Sequence, residues 1–147
     1  MKPYLTDVLP AAAKDLASFI PQLQPAYLRG RIGAVASILA VISEDLDRAV
    51  PRRLEENRAF RALFGRAAPE ITDAALAARV KAIAAETGDD LHLSALDADN
   101  DRLRAVLIEL HVHVEAREDA TARELNEAIW RLLKESTERR KRAFANF

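Results

Sequence analysis

Residues 96–114 read LDADNDRLRAVLIELHVHV. Leu96, Leu103, Leu107, Leu110 and Val114 recur at spacings of seven, four, three and four. A strand would place apolar residues at every second position. Multiples built from three and four instead return to one stripe of an α-helix. Val106 and Ile108 widen the stripe to both sides, so this helix is expected to pack against more than one neighbour. Asn100 falls on the stripe itself, where a polar side chain costs stability unless it finds a partner. Ser94 and Asp97 have the spacing of a capping box, which sets the start of the segment at about residue 94. The segment then runs to about residue 118.

The rest of the chain reads the same way. Its 147 residues, 50% hydrophobic and 31% charged, include 29 alanines but only 4 glycines and 6 prolines. Such a composition favours helix and suits one domain of ordinary size. A first helix is predicted over residues 6–20, stopped by Pro21. A long second helix is predicted from Pro25 to Phe64, with Gly65 as its cap and a kink or break at Pro51, which lacks a backbone donor. A third runs over 69–87 with Gly88 as cap. A fifth starts at Thr121, where Thr121 and Glu124 make a capping box, and runs to 144. Leu125, Ile129, Leu132, Leu133, Ser136, Ala143 and Phe144 share its inner face. No Gly or Pro separates the last two segments, so a hairpin and one continuous helix both remain open. The sum is an all-α, up-down helical bundle of about four to five helices in one domain, 1–147. Within it, 1–24 form an N-terminal helix and turn, and 139–147 a basic C-terminal tail.

Bulk properties exclude several classes. There are 22 Lys and Arg against 23 Asp and Glu, for a net charge of −1. Nucleic acid is therefore not the expected partner. The absence of cysteine removes disulfides, zinc fingers, iron–sulfur clusters and thiol nucleophiles. The first twenty residues carry Lys2, Asp7, Lys14 and Asp15 and resemble no export signal. The most apolar window, residues 32–43, is bounded by Arg31 and Glu44. That is well short of the roughly 20 residues of a membrane span, so it reads as a buried helix of a soluble, cytoplasmic protein.

Candidate chemistry is sparse. The histidines are His92, His111 and His113. On a helix, residues two apart are about 200° apart, so His111 and His113 cannot chelate one metal from the same helix. Each has a carboxylate four residues away, giving Glu109 with His113 and His111 with Glu115 as weak metal candidates. The di-iron pattern of Glu-x-x-His pairs is not met, because Ile108, Leu110 and Asp89 precede the three histidines by three residues. Asp97, Asp99 and Asp101 resemble the start of a calcium loop, but Arg102 and Ile108 stand where Gly and Glu are required. No cofactor motif, phosphate loop or nucleophile elbow is present, and no metal is expected.

One internal echo runs through the chain. Residues 56–64, ENRAFRALF, align with 99–107, DNDRLRAVL, at an offset of 43. Two fragments make no solenoid, and sequence alone reads them as chance similarity between helices. Asn57 and Asn100, with Arg61 and Arg104 beside them, are candidates for a register-setting pair or a small-ligand site. The plainer alternative puts both asparagines at a partly exposed end of the bundle. Arg131, Lys134, Arg139, Arg140, Lys141 and Arg142 form a basic run that complements a helix C-terminus, and Phe144 and Phe147 after it could dock a partner. Trp130 is expected at the edge of the core. These features assign no reaction. They favour a non-catalytic bundle acting through protein–protein contact, with a homodimer as the expected state. The alternative is a small-molecule- or metal-binding bundle, catalytic or otherwise, built on His111 and His113.

Overall fold

The computed structural model describes residues 4–88 and 90–141. They form α1 (Leu5–Phe19), α2 (Ala26–Ala67), α3 (Ala74–Ala85), α4 (Leu93–Glu115) and α5 (Ala120–Arg139). Short 3-10 turns lie at Ile20–Gln22 and Ala68–Glu70, and no strand occurs among the described residues. The chain is all-α, as its periodicity requires. Asp89, Arg142, Ala143, Phe144 and Phe147 lie outside the described residues.

Several boundaries differ from the sequence reading. α2 continues through Pro51 and Gly65 without interruption for 42 residues. No glycine has a positive φ, so neither Gly65 nor Gly88 ends a helix by a left-handed cap. α4 starts at Leu93 with no side-chain cap, so Ser94 does not cap it. α5 is capped by Asp119, whose carboxylate accepts from the Ala122 amide at 2.9 Å, not by Thr121. Asp73 caps α3 in the same way through the Leu76 amide at 2.9 Å. A short aspartate outcompetes threonine for the exposed amides of a first turn. Ala116–Asp119 break the helix between α4 and α5, so the last two segments form a hairpin.

Two compact units divide the chain near residue 50. The larger, Val50–Lys141, is a helical bundle with one core. Phe60, Leu63, Phe64 and Ala67 from α2 meet Val80 and Ile83 from α3 there. Leu103, Leu107, Leu110 and Val114 from α4 and Leu125, Ile129 and Leu132 from α5 complete it. The stripe of residues 96–114 is buried at every apolar position that defines it. Val106 joins it, whereas Ile108 is exposed.

The smaller unit contains α1 and the first part of α2. Among its described residues only Ala13, Ala36 and Ala49 are buried. A buried helix over 32–43 is not what forms. Ala36 alone is buried there, because α1 is the one helix in this unit available to cover α2 and it covers only one side.

Candidate functional site

Two features carry chemistry, and each lies within one unit. The first is a polar network in the bundle. Glu56, Asn57 and Asn100 are buried to within 1–2% of full burial, and Ser136 to within 4%. The asparagines therefore do not sit at a partly exposed end. Asn100 Nδ2 donates to Asn57 Oδ1 at 2.7 Å. Asn57 Nδ2 donates to the Leu96 carbonyl and to Asp99 Oδ2, both at 3.0 Å.

Around this pair the two echoed stretches face each other reciprocally. Arg61 of α2 grips Asp99 of α4 through both Nη atoms, at 2.9 and 2.8 Å. Arg104 of α4 returns the contact by donating to Glu56 of α2. Glu56 and Asp99, Asn57 and Asn100, and Arg61 and Arg104 are each 43 positions apart. The echo is thus a local pseudo-twofold pairing of α2 with α4 about the two asparagines.

The Glu56 carboxylate collects further donors. Arg53 reaches it at 2.9 Å, Arg140 reaches both of its oxygens at 3.0 and 3.1 Å, and the Ser136 hydroxyl donates to it. Arg104 also donates to Asn100 Oδ1 at 2.9 Å and lies over the Phe60 ring, 5.3 Å from its centroid. Burial pushes Glu56 up, but the Ser136 hydroxyl and the guanidinium groups of Arg140 and Arg104 outweigh it and hold the carboxyl below its ordinary range. Asp99 is held low in the same sense, with burial opposed by Arg61 and Arg102. A charge buried this deeply requires such partners. Arg61 and Arg104, candidates for a small-ligand site, bind the chain's own Asp99 and Glu56, while the buried Arg61 Nε has no hydrogen-bond partner among the described residues.

The histidines are not brought together. His111 Nε2 lies 2.9 Å from Asn126 Oδ1 and 3.3 Å from Glu115, and its ring stands edge-on to Trp130 with centroids 5.4 Å apart. Trp130 itself is exposed. His113 Nε2 accepts from the Thr72 amide at 3.3 Å, which engages the lone pair a metal would need. Glu109 pairs with Arg79 of α3 in place of the expected His113. Among the described residues no group of three or more metal-ligating side chains converges.

The second feature is the surface of the smaller unit. Tyr27, Val35, Ile38, Ile42 and Leu46 of α2, Leu5, Val8 and Phe19 of α1, and Tyr4 just before α1 are all exposed. Leu28, Ile32, Val35, Leu39, Ile42, Leu46 and Ala49 alternate by four and three along one stripe of α2. This spacing is legible in the sequence and is the signal that an apolar-window reading misses. A cleft of about 690 Å³ marks where α1 meets α2, lined by Ala13 and Ala17 from one and Ala36, Ser37, Ala40 and Val41 from the other. That side is centred more than 90° round the helix from the stripe, with Ala36 and Ser43 at its near edge, so α1 leaves Val35, Ile42 and Leu46 exposed. By length and composition the helical run Ala26–Glu70 is apolar enough to cross a membrane, and almost none of its most apolar window is buried. Comparisons with protein-family models, with curated proteins and with solved structures find no match to this chain.

Proposed function

We propose that the protein is a non-catalytic helical module acting through protein–protein contact, and that its first contact is with a second copy of itself. The observation that carries this is the stripe of α2 from Leu28 to Leu46, on which Val35, Ile42 and Leu46 are exposed and Leu28, Ile32 and Leu39 half-buried. Val35 and Ile42, at its middle, are each 46% exposed. Single apolar residues at a surface need no explanation, but a contiguous stripe of six large ones over about five helical turns marks an interface. Alternating four- and three-residue spacing is the pattern by which helices interlock. A second copy offers the same pattern in return, which is what a two-fold interface requires.

Sedimentation equilibrium on the whole chain tests the reading. The expected result is a dimer that Val35→Glu with Ile42→Glu converts to monomer while the helical circular dichroism of the bundle persists. A wild-type chain that stays monomeric at hundreds of micromolar would overturn it, as would a dimer indifferent to both glutamates.

A further inference from the structure

We infer that the cleft between α1 and α2 binds a fatty acid, with the alkyl chain along its apolar walls and the carboxylate at Lys14. The cleft follows from small side chains. Ala13 and Ala17 line it from α1, and Ala36 and Ala40 from α2. Alanine favours helix but fills little of the space between two helices. Ala13 and Ala36 are each only 7% exposed, yet about 690 Å³ beside them stays open. A water takes up about 30 Å³ in the liquid, so the gap is no ordinary packing defect. Small-molecule sites measure roughly 300–1,000 Å³ and join apolar walls to a few polar groups.

Charge selects the ligand. Of the residues that line the cleft, Lys14 is the one cation and Glu44 the one carboxylate. Arg48 holds Glu44 at 2.6 Å. Lys14 is exposed and makes no hydrogen bond or ion pair with any described residue. A lysine lays its stem on an apolar wall and keeps its ammonium in water, where it can meet a singly charged head group. Pro10, Val41 and the alanines offer water few hydrogen bonds, so displacing it with an alkyl chain is favourable. The lining follows α2 from Ala36 to Glu44, about 12 Å of helix, which gives such a chain several methylenes of contact. The cleft is centred more than 90° round α2 from the exposed Val35, Ile42 and Leu46, so the site does not rest on the self-association.

The whole chain, labelled at its alanine methyls, is titrated with laurate below the micelle concentration and followed by NMR and calorimetry. The expected result is saturable binding of one laurate per chain that shifts Ala13, Ala17, Ala36 and Ala40 and leaves Ala122 of the bundle core in place. Decanoate should bind more weakly, by about fourfold for each methylene removed. Ala17 and Ser37 both line the cleft at exposed positions, so Ala17→Leu with Ser37→Leu should fill it without loss of helix and lower the affinity at least tenfold. Lys14→Glu should weaken laurate roughly tenfold while leaving the uncharged dodecan-1-ol within twofold, and this comparison decides the matter should the leucine pair fail to fold. Absence of saturable binding would overturn the site, as would binding indifferent to folded leucine variants. Binding that vanishes in Val35→Glu with Ile42→Glu but survives the leucines would move the amphiphile to the exposed stripe and overturn the cleft. Equal losses of laurate and dodecan-1-ol in Lys14→Glu would overturn the carboxylate pairing. Uptake seen only with phosphatidylcholine–phosphatidylglycerol vesicles, and never with monomeric laurate, would overturn the site in favour of a membrane surface.

Discussion

Glu56 shows how a single residue can hold a bundle to one arrangement. Its carboxylate is nearly inaccessible and is bound by side chains from α2, α4 and α5, together with Arg140 just after α5. Nothing apolar would require Arg53, Arg104, Ser136 and Arg140 to converge, so the charge fixes the register of α2 against α4 and α5. Asn57 and Asn100 do the same for the α2–α4 crossing. Changing Asn100 to Leu strands the Asn57 carbonyl and removes an acceptor from Arg104. Urea denaturation should show a loss of about 1–3 kcal/mol. The double change Asn57→Leu with Asn100→Leu should cost less than the sum of the two singles, because it removes both partners. A strictly additive double would mean that the asparagines do not act as a pair. Protonation probes the same network. Glu56 and Asp99 titrate lower in the folded protein than in the unfolded chain, so the unfolded state takes up protons first. Their contribution is intact above the unfolded values of about 4, and is lost as pH falls through the lower folded ones. Stability measured from pH 7 to 3 should therefore hold to about pH 5 and then decline. Glu56→Gln should start lower and decline less steeply, and an unchanged acid slope in that variant would remove Glu56 from the account.

Elements differ in how far sequence alone reveals them. The α4 stripe is legible because a helix buried along one face repeats its apolar positions, and Leu103, Leu107, Leu110 and Val114 do so. The α5 inner face is legible for the same reason. Helix ends are less so, since several residues compete for each cap and only geometry chooses. Thr121 with Glu124 has the better motif, yet Asp119 holds the amide. Asp119→Ala should accordingly cost about 1 kcal/mol in thermal or urea unfolding, and Thr121→Ala well under half of that. Equal losses would return the cap to Thr121. The network was half legible. The offset between Asn57 and Asn100 is visible in the chain, but their meeting depends on how α2 lies against α4, which periodicity does not encode. His111 and His113 turn to different neighbours for the same reason. The apolar window of 32–43 teaches the opposite lesson. Composition says that a surface must be covered, not that this chain covers it.

Across the whole molecule, stability is distributed unevenly. Val50–Lys141 has a continuous core with Phe60, Phe64, Leu103, Leu110 and Ile129 almost wholly inaccessible. The hairpin of α1 with residues 26–49 buries three alanines among its described residues, and so draws little from its own packing. Burying a large aliphatic side chain gains roughly 1.5–3 kcal/mol, and the hairpin holds most of that in reserve on the uncovered stripe. On the proposed self-association a second copy would supply the cover, linking order in the hairpin to dimerisation. Calorimetry should then resolve two transitions. The lower one, belonging to the hairpin, should rise in temperature as protein concentration is raised from about 5 to 500 µM. The upper one, belonging to the bundle, should not move. Val35→Glu with Ile42→Glu should abolish the concentration dependence and weaken the lower transition, leaving the upper one within a degree or two. Amide exchange should agree, with residues 26–49 slowing at high concentration and Leu103, Leu110 and Ile129 protected throughout. A single transition independent of concentration would mean that the hairpin needs no partner for its order, and the link between its exposed stripe and its stability would be withdrawn.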